Sequence, residues 1–183
     1  MIATEPTKAE KTLKRVLFIS AFDGWSIIVI AVLGILITLA MGDYSGLAVG
    51  LLIAAAGGME LRGRKLLKRR DPSGMKLLVR SQLFFLAVIL VYCATRLGSF
   101  DEATVMGNST PDMEAAMKEL GIQKADLLPM VRSTFFALYS GVALGTLIYQ
   151  GGMTLYYRAK TKLVTEALSP PPRPKVSVLP PSV

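Results

Sequence analysis

At 183 residues with a net charge of +8, one cysteine and no histidine, the chain has room for one domain, cannot close an internal disulfide, and offers no imidazole for haem or zinc. Hydrophobic residues make up 52% of it and its mean hydropathy is positive, and their bunching into four long runs excludes an ordinary soluble domain. The Lys and Arg residues lie between and beside those runs, where membrane topology accounts for them, so nucleic acid is not expected as a partner.

Residues 1–15 form a basic N-terminal segment with Lys8, Lys11, Lys14 and Arg15. The apolar run that follows is too long for a cleaved leader, which predicts an uncleaved anchor. Within it, Asp23 precedes Trp25, an aromatic suited to a membrane interface. The favoured reading starts the first span at residue 24 and ends it at 41, with Asp23 as a helix N-cap at headgroup level and 13–22 as a separate interfacial helical segment. A helix beginning near Leu13 would instead bury Asp23 within the membrane, where it would need a partner.

Gly42-Asp43 leaves almost no loop, so a tight helical hairpin leads to a second span over 44–61. Gly46, Gly50, Ala54 and Gly58 recur there every four residues. Such a stripe allows close backbone approach, which drives helix association in lipid. The matching stripe Ala137, Gly141 and Gly145 in the fourth run predicts that spans 2 and 4 are neighbours, with a homodimer face as the lesser use.

The stretch 60–80 is a basic corner holding eight Lys and Arg residues. Arg62, Arg64, Lys65, Lys68, Arg69 and Arg70 are candidate contacts for anionic lipid headgroups. Asp71-Pro72 is a helix-start signal for a third span over 75–96. Glu60 and Arg80 are expected at similar depth on adjacent helices, as an intramembrane polar pair. Residues 98–131 form an acidic loop in which Thr110-Pro111, early acids and Gly121 predict a short helix from Pro111 to Leu120. The fourth span is expected over 132–157 and carries Gln150; Tyr149, Tyr156 and Tyr157 suit an interface. Residues 163–183, rich in proline, read as a disordered cytoplasmic tail.

Of the 21 Lys and Arg residues, 17 fall in the N-terminal segment, the corner or the stretch after Tyr157. Positive charge stays on the cytoplasmic side, so the expectation is an all-α integral membrane protein of a bacterial cytoplasmic membrane. It would be a four-transmembrane-helix bundle, N-in/C-in, with a short extracytoplasmic helix between spans 3 and 4. No nucleophile with a base, phosphate-cradling loop or metal-ligand cluster is legible, so neither an enzyme nor a cofactor or metal site is expected. The favoured role is an accessory, scaffolding or interaction component with a protein partner or a second copy. The alternatives are a small oligomeric transporter or channel using Asp23 and Gln150, and an anionic-lipid-binding protein.

Overall fold

The computed structural model describes residues 7–101 and 123–169, together with Met117, Glu119 and Gly121. Among these residues are four long helices and no strand: α1 (Lys8–Met41), α2 (Tyr44–Lys68), α3 (Ser73–Gly98) and α4 (Lys124–Leu168). All four are long and apolar enough to cross a membrane, which is consistent with a multi-pass membrane protein. The expected helix from Pro111 to Leu120 falls almost wholly outside the described residues; Met117 and Glu119, which are described, are helical.

Each boundary has a local cause. Thr7 caps α1 by accepting from the Glu10 amide at 3.2 Å while the Glu10 carboxylate accepts from the Thr7 amide at 2.9 Å, a reciprocal capping box. From there α1 runs 34 residues without interruption, about 50 Å at 1.5 Å per residue. This corrects the expectation of a separate segment over 13–22 with Asp23 as an N-cap. Nothing between Val16 and Met41 breaks a helix, and Asp23 is an interior helical residue. Gly42, at φ 68°, ends α1 in the left-handed conformation that a side chain disfavours. Asp43 then caps α2 through the Ser45 and Gly46 amides at 3.0 and 3.1 Å. The expected tight hairpin is present. At the other end of α2, Asp71 accepts from the Ser73 amide at 2.8 Å and starts α3.

Packing runs α1 on α2, α2 on α3, α3 on α4, with α4 returning to α1. The second and fourth helices are not among these principal neighbours, which corrects the expected pairing of their small-residue stripes. The stripe on α2 is used by α1 instead. A Cβ at Gly50 would lie 2.7 Å from Ile35, and one at Gly57 would lie 2.8 Å from Ile28. Gly58 faces open space because each residue turns the helix by about 100°, so the contacting face drifts from 58 to 57 along the helix. Ala54 is half-buried. Ala137, Gly141 and Gly145 are exposed, and a Cβ at either glycine would meet nothing within 4 Å.

The apolar core sits at the end of the molecule where α1 begins and α4 ends. Val16, Leu67, Met75, Leu78, Tyr157, Val164 and Leu168 form one buried cluster drawn from all four helices. Val164 and Leu168 explain why α4 continues to Leu168, through residues 163–168 that the sequence reading gave to the tail: they extend its buried face by another turn. Residues 170–183 lie outside the described residues. Elsewhere large apolar side chains such as Phe22, Leu36, Val91 and Ile148 point outward. An exposed apolar surface of this extent is what lipid-facing helices carry and what water-exposed helices avoid.

Candidate functional site: a buried carboxyl pair

Above the apolar core, four helices converge on a small polar cluster. Asp23 comes from the middle of α1, Glu60 from α2, Gln82 from α3, and Tyr149 and Tyr157 from α4. Glycines make the approach possible. A Cβ at Gly24 would lie 2.9 Å from Leu61 and 3.4 Å from the Glu60 side chain, and one at Gly57 would lie 3.1 Å from the Gly24 carbonyl oxygen. The two helices touch backbone to backbone there, which puts the neighbouring Asp23 and Glu60 carboxyl groups face to face.

The hydrogen bonding is closed around that pair. Gln82 Nε2 donates to Asp23 Oδ2 and to Glu60 Oε2, both at 2.6 Å. Tyr157 donates its hydroxyl to Glu60 Oε1 at 2.7 Å, and Tyr149 donates to Asp23 Oδ1 at 3.0 Å. Asp23, Glu60 and Gln82 are 3%, 0% and 1% exposed. The ion pair recorded among the described residues, Arg96 with Asp43 at 2.8 Å, lies elsewhere. Two carboxylates this close and this deeply buried repel strongly unless a proton or another cation lies between them.

Unsatisfied polar atoms occur in the cluster and elsewhere on α4. Gln82 Oε1 has no partner, and neither do Gln150 Oε1 and Thr154 Oγ1 one turn apart on α4. Buried oxygens of this kind are rare, because each forfeits its bond to water without replacement. The two amide oxygens can only accept, whereas the Thr154 hydroxyl can donate or accept.

The sequence-derived candidates fall as follows. Asp23 is in the cluster. Gln150 is buried at 3% exposure beside Tyr149, with no bond to Asp23. The expected Glu60–Arg80 pair is corrected: Glu60 bonds Gln82 and Tyr157, while Arg80 is exposed in a groove beside Lys76 and Arg158. Residues 80 and 82 differ by about 200° around the helix, so only one of them can face Glu60, and the uncharged one does. Arg62, Lys65, Lys68, Arg69 and Arg70 are exposed, whereas Arg64 turns inward and donates to the Leu17 carbonyl at 3.1 Å. Sequence reasoning missed Tyr149 and Tyr157 as members of the site, having assigned both to an interface. Their signal was the helical position of Tyr157, which places it on the same face as Gln150 and Thr154.

A second polar cluster closes the opposite end. Arg96 donates to Asp43 Oδ2 at 2.8 Å and to Ser45 Oγ at 3.2 Å. The Ser45 hydroxyl, then the Gly46 amide and the Arg96 charge, hold the Asp43 carboxyl below its ordinary value of 3.8. This cluster staples the α1–α2 turn to the end of α3.

Comparison with protein-family models, curated proteins and solved structures finds no match to this chain.

Proposed function

We propose that this chain is a multi-pass protein of a bacterial cytoplasmic membrane, a four-helix bundle with both termini inside, that binds a cation at Asp23 and Glu60 in exchange for a proton. It acts as a small cation carrier. The observation that carries this reading is the buried pair of carboxyl groups sharing one amide donor, with no Lys or Arg ion-paired to either among the described residues. In a membrane protein such groups cost several kcal/mol to bury, on the order of 2.5–3.5 each near mid-bilayer, and serve ion pathways and proton relays. One proton resident between the two carboxyls is displaced when a cation takes its place. Tyr149, half-exposed at 51%, offers its hydroxyl as the route between Asp23 and the surroundings.

The test uses the purified full chain in weakly buffered detergent solution. Addition of sodium, potassium, lithium or a lipophilic organic cation should release protons, read with a pH-sensitive dye. Asp23→Asn and Glu60→Gln should each abolish the release while leaving the helical circular dichroism signal intact. Proton release that survives in both variants would overturn the reading.

A second reading, an accessory or interaction component, is favoured by one observation: the Ala137–Gly141–Gly145 face of α4 is exposed and unoccupied. Small residues spaced by four are a helix-association face. Cross-linking through Gly141→Cys would join two copies in a homo-oligomeric carrier and a foreign subunit in an accessory protein.

A further inference from the structure

The start of α1 and the end of α4 leave a cleft of about 400 Å³ between them. Lys8, Lys11 and Arg15 line it from α1 and Lys160 from α4, with Tyr156 and Leu163 also in the wall. The spacing 8, 11, 15 is that of one helix face, so the three cations are held in a row rather than dispersed. No acidic side chain lines the cleft among the described residues. Glu10, the nearest acid in sequence, is turned back onto the Thr7 amide as part of the N-terminal capping box. The Tyr156 hydroxyl is buried and has no partner, and it sits within the electrostatic reach of Arg15. Four cations and an idle hydroxyl donor around one cleft make up a receptor for a phosphate group.

The same row continues past the basic residues. Phe18, Phe22, Trp25 and Val29 follow Arg15 at alternating steps of three and four, and with Ile30 they line a shallow apolar groove on the outer surface of α1. Phe18, Phe22 and Trp25 are 72%, 67% and 59% exposed. A stripe that is cationic for two turns, aromatic for the next two and aliphatic for one more has the polarity of a phospholipid, headgroup first and acyl chain after. A soluble phosphate would have no use for the second half.

We propose that this stripe is a binding site for one anionic phospholipid, with its phosphate between Lys8, Lys11, Arg15, Lys160 and Tyr156 and an acyl chain along Phe18, Phe22 and Trp25. The site is separate from the corner at 62–70 and from the carboxyl pair.

Trp25 is the chain's one tryptophan, and it reports on the groove. The full chain is reconstituted in bilayers of phosphatidylcholine containing a small fraction of lipid brominated on its acyl chains. The brominated lipid is either phosphatidylglycerol or phosphatidylcholine, and quenching of Trp25 fluorescence gives the relative affinity. The anionic lipid should quench more strongly at equal mole fraction. Each of Lys11→Ala, Arg15→Ala and Lys160→Ala should weaken its relative affinity about five-fold, the value of one basic contact at a membrane surface. Tyr156→Phe should weaken it without altering charge, and Arg69→Ala with Arg70→Ala should leave it unchanged. Millimolar inorganic phosphate should not compete. Equal quenching by the two lipids would overturn the proposal. So would loss of the preference on neutralising the corner alone, which marks diffuse surface charge, and so would competition by free phosphate, which marks a soluble ligand.

Discussion

Replacing Gln82 by Leu removes the one side chain that joins both carboxyl groups. The native amide makes two hydrogen bonds of 2.6 Å, one to each carboxyl, at a position 1% exposed. Side-chain hydrogen bonds between membrane helices average about 0.6 kcal/mol and reach about 1.7, so the two together contribute roughly 1–3 kcal/mol. Leucine is close in volume and leaves no cavity. It also deletes Gln82 Oε1, an oxygen already without a partner, and removing an unsatisfied buried acceptor returns about 1 kcal/mol. The net loss should be about 0–2 kcal/mol, measured by reversible unfolding in mixed micelles. The decisive number is the coupling with Asp23→Asn in a double-mutant cycle. Groups that share a hydrogen bond couple by about 0.5–1.5 kcal/mol, whereas unconnected ones add within about 0.3–0.5. A Gln82→Leu protein as stable as the wild type, with effects that simply add to those of Asp23→Asn, would refute the network as drawn.

Three further outcomes follow from the packing and the caps. Gly74→Ala places a methyl 2.5 Å from the Gly63 carbonyl oxygen and 2.7 Å from Leu67, so it should destabilise by about 1–3 kcal/mol as overpacking does; Gly34→Ala, inside α1 with nothing within 4 Å, should instead stabilise by about 0.4–1 kcal/mol in the same unfolding assay. Arg70 is the non-glycine residue held at positive φ, 61°, among the described residues, and Arg70→Gly should stabilise the α2–α3 turn by about 1 kcal/mol, read as a higher midpoint than that of Arg69→Gly. Because the Asp43 carboxyl is held below 3.8, its contribution is fully present above that pH and is lost as pH falls through the lowered value; the stability of Asp43→Asn should fall less steeply in that window than that of the wild type, with the Asp71 contribution, also from a lowered carboxyl, remaining in both.

Helix number and the two turns at Gly42-Asp43 and Asp71-Pro72 were legible because they depend on local quantities, whereas the limits of the fourth helix were not: it starts at Lys124, inside the stretch read as loop, and carries Pro129 within it. The continuity of α1 was not legible either, because a sequence containing Asp23-Gly24-Trp25 reads equally as a helix start and as a helix interior. What decides it is tertiary: Gly24 lets α2 approach, and Gln82 and Tyr149 supply partners that satisfy Asp23. The same holds for Glu60. Charge complementarity pointed to Arg80, but the rotation of α3 is set by Leu78 and Ser81, both buried, and that rotation turns Arg80 outward. The stripe on α2 was read correctly at Gly46 and Gly50 but with Gly58 where Gly57 makes the contact, and with the wrong neighbour, since spacing identifies a contacting face without saying how it drifts or which helix meets it.

A polar cluster that merely fixes helix register needs donors and acceptors in balance, and an amide pair supplies that without a charge. The cluster around Glu60 is out of balance: two carboxyl groups face one another, Gln82 gives both of its donating contacts to them, and its own oxygen is left idle. Neutral isosteres should therefore fold better than the native residues. Asp23→Asn combined with Glu60→Gln keeps the volume and removes the need for a proton between the two groups, and with it the desolvation cost of a buried ionisable pair that has no opposite charge to offset it. The double variant should unfold at an equal or higher denaturant concentration than the wild type and release no protons on addition of cations. A double variant destabilised by more than about 2 kcal/mol would assign the pair to the architecture; retained stability together with lost exchange assigns it to function.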